Sequence, residues 1–244
     1  MFRDLIPLLS ERFHVVAPDY PGMGYSDAPA EAKLAPTFDG IADVIDGFTT
    51  ELHITRYILY MQDFGGPVGM RLALRHPDRI GGLIIQNSPL SLDGWAPARL
   101  EAVRSTAGPI TPEKRAAAEA RVVAATSIRL HQTGAARPDL NPDIWANDAF
   151  AISDPEKKRI MTGLILDIPT NLDRYPAWQD YLRTKKPPTL VVWGRNDPIF
   201  SSDGVETIRK LNPLSEVHLY DAGHFALDEQ SDEIARRIIA FFAH

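Results

Sequence analysis

An α/β fold on a mostly parallel sheet is what this sequence predicts, and three observations carry that reading. Short β-branched runs alternate with helical patterns through the first 88 residues, the alternation resumes after residue 187, and the links are short. Strand, helix, strand in that order is the pattern of right-handed βαβ units.

The segment Phe13 to Ala17 reads as a buried strand, ending at Pro18 and the turn-forming Pro21-Gly22-Met23-Gly24. Phe38, Ile41, Ile45, Phe48 and Leu52 fall at helical spacing. Tyr57 to Met61 is the next strand; it runs into Asp63-Phe64-Gly65-Gly66-Pro67, after which Val68 to Arg75 is helical. Arg79 to Ile85 supplies a third strand. From Pro89 to Pro187 the pattern is helical without strands: Thr111 to Leu130, Asn141 to Ile152, Asp154 to Leu166 and Leu172 to Leu182. Strand Thr189 to Trp193, helix Asp203 to Leu211, strand Glu216 to Tyr220 and helix Glu229 to Phe242 complete the chain. The expected organisation is a core in two parts, residues 1–88 and 188–244, interrupted by a helical insertion at 89–187.

The 244 residues suffice for one such domain and a substantial core. A net charge of -6 gives no basic footprint for nucleic acid or an anionic membrane, so a small-molecule substrate is the expected partner. The absence of cysteine excludes disulfides, thiolate metal sites and a cysteine nucleophile, and a cytoplasmic location is the plain expectation. No metal and no cofactor are expected. Leu5 to Leu9 is too short an apolar run for a signal sequence or a membrane span.

Three residues sit where an α/β sheet presents its chemistry, just beyond the carboxyl ends of strands: Asp63, Asp197 and His224. Each has a plain structural use as well. Asp63 could cap a helix, Asp197 could form an Asx turn before Pro198, and His224 could be a polar loop residue. Asp63 has the best local case, because Gly65 and Gly66 permit a sharp strand-to-helix turn that exposes its side chain at a helix N-terminus. Met61, two residues earlier, is larger than the usual residue at that place in such a turn. Three structural uses at three matching strand ends are a less economical account than one triad.

The pieces Val15-Val16-Ala17-Pro18-Asp19-Tyr20-Pro21-Gly22-Met23-Gly24-Tyr25-Ser26, Gln62-Asp63-Phe64-Gly65-Gly66-Pro67, Trp193-Gly194-Arg195-Asn196-Asp197-Pro198 and Ala222-Gly223-His224-Phe225 resemble α/β-fold hydrolases of the haloalkane dehalogenase and epoxide hydrolase branch. The resemblance implies an α/β-hydrolase fold with a helical cap. It also implies a hydrolase whose nucleophile is Asp63, with His224 as base, Asp197 as its orienting acid and the Phe64 N–H as an oxyanion donor. An alkyl ester on Asp63 would be the intermediate and a small epoxide or haloalkane the substrate. Ser26 belongs to a structural turn in that family.

Two departures limit what the resemblance implies. The dehalogenases usually carry Trp after the nucleophile, where this chain has Phe64; Trp145 and Trp178 in the insertion are candidates to substitute for it. Epoxide hydrolases use cap tyrosines, for which Tyr175 and Tyr181 are candidates. The family also has a strand and a His-Gly loop ahead of the helix at Phe2 to Leu9, so an N-terminally incomplete version of the fold is expected. A non-catalytic binding protein that keeps the hydrolase shell is the alternative function.

Overall fold

Helices α1 (Leu5–Ser10) and α2 (Phe38–Glu51) precede strand β1 (Tyr57–Gln62), helix α3 (Gly65–Arg75) and strand β2 (Ile80–Gln86) in the computed structural model, which describes residues 1–125, 128–137 and 139–243. Six helices follow: α4 (Pro97–Arg104), α5 (Pro112–Ala125), α6 (Ile128–Gln132), α7 (Asp143–Ala151), α8 (Pro155–Leu172) and α9 (Tyr175–Lys185). Strand β3 (Thr189–Gly194), helix α10 (Asp203–Leu211), strand β4 (Glu216–Tyr220) and helix α11 (Ala226–Phe242) close the chain.

Among the described residues the sheet has four strands, all parallel, in the order β1-β2-β3-β4. Parallel strands covered on both faces need apolar side chains throughout, as β3 has with all six residues buried. Leu83, Ile85, Val191 and Trp193 point to one face and join the core formed with α2, α3 and α8 to α10. The alternate residues Ile84, Leu190 and Val192 point to the other face, against Leu5 and Leu9 of α1 and Leu227, Ile234 and Ile238 of α11. Their period of two is the strand pleat itself.

Helix α2 starts where the Thr37 side chain accepts from Gly40 N at 3.1 Å, and it buries Phe38, Ile41, Ala42 and Ile45 along one stripe. Its large side chains contribute about 1.5–3 kcal/mol each. Helix α8 starts with the Asp154 side chain accepting from Glu156 N and Lys157 N, and continues to Leu172 with Pro169 inside it. It therefore extends six residues past the expected end at Leu166, and α9 begins at Tyr175 rather than Leu172. The expected helix over Thr111 to Leu130 is realised as α5 and α6; residues 126–127 between them lie outside the described residues.

The expected strand at Phe13 to Ala17 does not form. The segment has no ladder partner among the described residues, and Val16 is exposed. Phe13 and Val15 nevertheless pack against the α1–α11 core, as Ile58 and Tyr60 of β1 also do. Alternating apolar residues specify a face to bury; a strand also needs a neighbour to hydrogen bond, and β1, at the sheet edge, pairs with β2 alone.

The turn that follows is built as a loop lock. Gly22 and Gly24 have φ of +79° and +49°, and Asp19 Oδ2 accepts from Tyr25 N at 2.9 Å. Ser26 Oγ donates to Asp19 O at 2.7 Å, so this serine holds the turn.

Ile41 has no exposed surface and sits midway along the stripe. Ile41→Ala should cost about 2–5 kcal/mol in urea unfolding; a loss below about 0.5 kcal/mol, the range of surface substitutions, would contradict this packing.

Candidate active site

Asp63 lies one residue past β1 and has φ of +46°, the left-handed region that side chains other than glycine avoid. That conformation lets the chain turn from strand into helix in two residues. Its surroundings are cut to fit. A Cβ on Gly66 would collide with Ser88 Oγ, and that hydroxyl donates to Asp63 O at 2.9 Å. A Cβ on Gly69 would collide with the Met61 thioether, so the glycine on α3 makes the room that the large Met61 requires. Phe64 is the N-cap of α3; its ring packs edge-on to Phe38 at 5.2 Å, and its N–H lies at the positive end of the helix.

His224 brings the strand ends together. Its Nε2 is 3.0 Å from Asp63 Oδ2, and its Nδ1 is 2.8 Å from Asp197 Oδ2. The side chains of His224 and Asp197 are wholly buried, whereas Asp63 is 31% exposed and therefore open to a ligand. Burial alone depresses the imidazole. The charge and hydrogen bond of Asp197, and then those of Asp63, outweigh it and raise His224 from 6.5 to about 10. Nε2 also lies 3.2 Å from Gln62 Nε2. It thus faces a carboxylate that accepts when it is protonated and an amide that donates when it is not.

Asp197 is fully satisfied. Besides His224, Oδ2 accepts from Asn87 Nδ2 at 2.8 Å, and Oδ1 accepts from Ile199 N at 2.7 Å. Asn87, just past β2 with φ of +40°, also pairs with the backbone of Gly194: Gly194 N donates to Oδ1 at 3.0 Å, and Nδ2 donates to Gly194 O at 3.2 Å. Gln62, Asn87 and Ser88 were not expected from the sequence. Asn87 and Ser88 stand just beyond the end of β2, as Asp63 does beyond β1, but their neutral side chains carry no chemical signal in the sequence.

Glu229, at 7% exposed, holds the histidine loop from behind. Its Oε1 accepts from Gly223 N at 2.9 Å, while Oε2 accepts from Ala136 N at 2.7 Å in the segment after α6. Asn196 Nδ2 donates to Gly134 O at 3.1 Å, so the same segment also rests on the Asp197 loop.

The aromatic candidates are placed unequally. Trp145 is 5.7 Å from the His131 ring, which stacks at 3.9 Å on Phe225, the neighbour of His224. Tyr175 accepts from Trp95 Nε1 at 2.7 Å; Trp95 packs on Phe200 and Phe200 on His224, so this tyrosine is linked to the histidine through one hydrogen bond and two ring contacts. Trp178 is fully buried beneath the Arg71 guanidinium. Tyr181 is buried and senses Tyr57, the first residue of β1, at the end of the strand remote from Asp63. Spacing along α9 could not distinguish these positions. Among the described residues no group of His, Asp and Glu side chains could hold a metal ion, and no helix is long and apolar enough to cross a membrane.

Residues 1–231 match the family described as alpha/beta hydrolase fold. The chain is 36% identical over 248 residues to an uncharacterized hydrolase of Saccharomyces cerevisiae, covering 100% of this chain and 84% of that protein. It is 28% identical over 254 residues to haloalkane dehalogenase 2 of Mycobacterium tuberculosis, covering 99% and 83%. The solved haloalkane dehalogenase of Bradyrhizobium elkani is similar in fold, with a TM-score of 0.82 at 22% identity over 99% of this chain and 84% of its own.

Two outcomes follow from this geometry. Because His224 is held above its free value, its contribution to stability is complete below about pH 6.5 and is lost as pH rises toward about 10. Tm should decline over that window, and less steeply in His224→Gln; identical pH slopes would contradict the pairing. Gly66→Ala, which pushes a methyl into Ser88, should cost about 1–3 kcal/mol, and Gly66→Ala/Ser88→Gly should recover part of it in urea unfolding. No loss in the single variant would refute the tight turn.

Proposed function

The chain belongs to the α/β-hydrolase fold family and is a hydrolase related to haloalkane dehalogenases, and from that premise we propose that it acts on a small organic substrate through a covalent ester on Asp63. The observation that carries the reading is the hydrogen-bonded line from Asp63 Oδ2 through His224 to Asp197.

A carboxylate needs no base to become a nucleophile. An Asp63 oxygen attacks an sp3 carbon; a C–O ester bond forms as the bond to the leaving atom breaks, and that atom departs with the electron pair. In the resting site two carboxylates hold the imidazole protonated. Esterification neutralises one of them, so the affinity of His224 for its proton falls; the proton passes to the departing group or to solvent, and the neutral imidazole is then available as the base. A water oxygen then attacks the ester carbonyl carbon while Nε2 takes its proton. The Phe64 N–H, at the start of α3, is the proposed donor to the oxyanion that forms. Collapse breaks the bond from the carbonyl carbon to the alkyl oxygen; that oxygen takes the proton from His224 and leaves as an alcohol, and the Asp63 carboxyl gives its remaining proton to Nε2, restoring the carboxylate and the imidazolium. Asp197 retains its charge throughout and fixes the imidazole through Nδ1.

The helical segment 89–187 serves in this reading as the cap that roofs the site. Support for it comes from the contacts of Gly134 and Ala136 with the loops that carry Asp197 and His224.

Ester formation does not need His224, whereas ester hydrolysis does. With short haloalkanes and epoxides, His224→Gln should lose turnover by about a thousandfold or more and accumulate an alkyl adduct that peptide mapping places on Asp63. Asp63→Asn should form none. An adduct on a serine, or a fully active His224→Gln enzyme, would overturn the assignment.

A further inference from the structure

Gln62 closes β1 and directly precedes Asp63. Met61 points into the core formed with α2 and α3, so the strand pleat turns the Gln62 side chain to the opposite face, where His224 lies. Gln62 is buried, and its amide nitrogen has two atoms of His224 within reach: ring Nε2 at 3.2 Å and main-chain O at 3.5 Å. A carbonyl oxygen can only accept, which places the donor end of the amide here rather than its oxygen. The contact therefore changes sign with the state of the ring. When Nε2 is protonated it donates to Asp63 Oδ2 at 3.0 Å, and the amide N–H meets a donor and turns to His224 O. When Nε2 is bare its lone pair accepts from the same amide, while Nδ1 keeps its proton on Asp197 Oδ2 at 2.8 Å. A bond made by the neutral ring alone and a contact between two donors made by the charged ring alone both favour proton loss.

We propose that Gln62 is a positioning residue for the base: its amide receives Nε2 as the proton leaves and holds the ring in the form that can deprotonate water; this rests on Asp63 being the nucleophile. The two partners of Nε2 act in turn. The Asp63 carboxylate keeps the ring charged until the ester forms, and the ester, being neutral, no longer holds a proton against the amide. The charged groups that contact the imidazole are Asp63, after β1, and Asp197, after β3. Phe200 and Phe225 pack on the ring with centroids at 5.6 and 4.7 Å; behind them His131 of α6 stacks on Phe225, and Glu229 of α11 holds Gly223 N. With Asp63 neutralised, Asp197 still draws a proton to the ring, and Gln62 joins burial in opposing it. At 3.2 Å the amide contact is at the long end of the hydrogen-bond range, so the attacking water displaces it readily.

Proton loss from the His224 ring, followed by nitrogen NMR against pH, tests the contact without any substrate. Of the seven histidines, His224 is the one whose signal His224→Gln removes. The background is Asp63→Asn, where a neutral side chain stands in for the ester and suits the left-handed backbone. In it, Gln62→Met should raise the midpoint by about half to one pH unit, as loss of one hydrogen bond to the neutral ring implies. Gln62→Asn withdraws the donor and should move the midpoint the same way; Gln62→Glu, which offers the charged ring an acceptor, should raise it most. An unmoved midpoint in Gln62→Met and Gln62→Asn would overturn the proposal, and a lowered one in Gln62→Met would reveal an accepting amide and overturn it too. The second arm keeps Asp63, adds a short haloalkane or epoxide, and follows decay of the Asp63 ester by quenched intact mass. In Gln62→Met that decay should be about three- to tenfold slower below the midpoint and approach the unmutated rate in alkali. Equal slowing at every pH would mark a purely structural residue and refute the proposal. The arms fail separately: the expected midpoints without an ester from any compound would sink the nucleophile and keep the Gln62 contact, whereas an ester that forms and decays without any midpoint shift would do the reverse.

Discussion

The left-handed backbone at Asp63 is the constraint on which the site depends. A residue with a side chain pays roughly 1–2 kcal/mol for that conformation, and it persists because its surroundings over-determine it. β1 ends in register with β2, pairing Gln62 with Gln86, while α3 packs Val68, Met70 and Leu72 into the core within a few residues. Between them there is room for one geometry. Ser88 takes the space a side chain at position 66 would occupy, and Met61 takes that of one at position 69. The carboxylate is thereby presented at the sheet edge with a helix start behind it, as an exposed anion on a rigid support.

Charge organises the remainder. Two carboxylates flank one buried imidazole, and the cost of burying Asp197 is offset by three donors from three places: the His224 ring, the Asn87 amide and the Ile199 backbone. Asn87 also binds Gly194 through both ends of its amide. It therefore fastens the β2 end to the β3 end and aims the acid at the histidine. Glu229 does the corresponding work for the histidine loop, spending its two oxygens on Gly223 and on the segment after α6.

Helix α8 joins the insertion to the front of the chain. Lys157 donates to Gly24 O at 2.6 Å and Arg159 to Pro29 O at 2.7 Å, and Phe38 N donates to Asp167 at 2.8 Å. Gly22 and Gly163 allow close approach, one to Ile160 and the other to Pro36. Arg71 adds a second tie: it bonds Asp39 of α2 and Asn171 of α8 and lies over Phe38 and Trp178. The helical segment is thus fixed to the front of the chain by polar contacts and close packing along α8.

The sequence by itself determined the elements with strong periodicity and singled out the three residues of the candidate site. Four strands and the helices around them follow from apolar runs bounded by turns, and Asp63, Asp197 and His224 were legible because strand ends and residue types are local properties. Tertiary structure decided what depends on neighbours. Phe13 to Ala17 has the composition of a strand but no ladder to join. Met61 is accommodated only because Gly69 faces it. Asn87 and Glu229 look like ordinary polar residues until two loops converge on them. Tyr175 and Tyr181 share one helix, yet one lies near the Phe200 wall of the site and the other near the foot of β1. Spacing along a chain specifies which side chains share a face; which face meets the chemistry is settled only when distant segments close on one another.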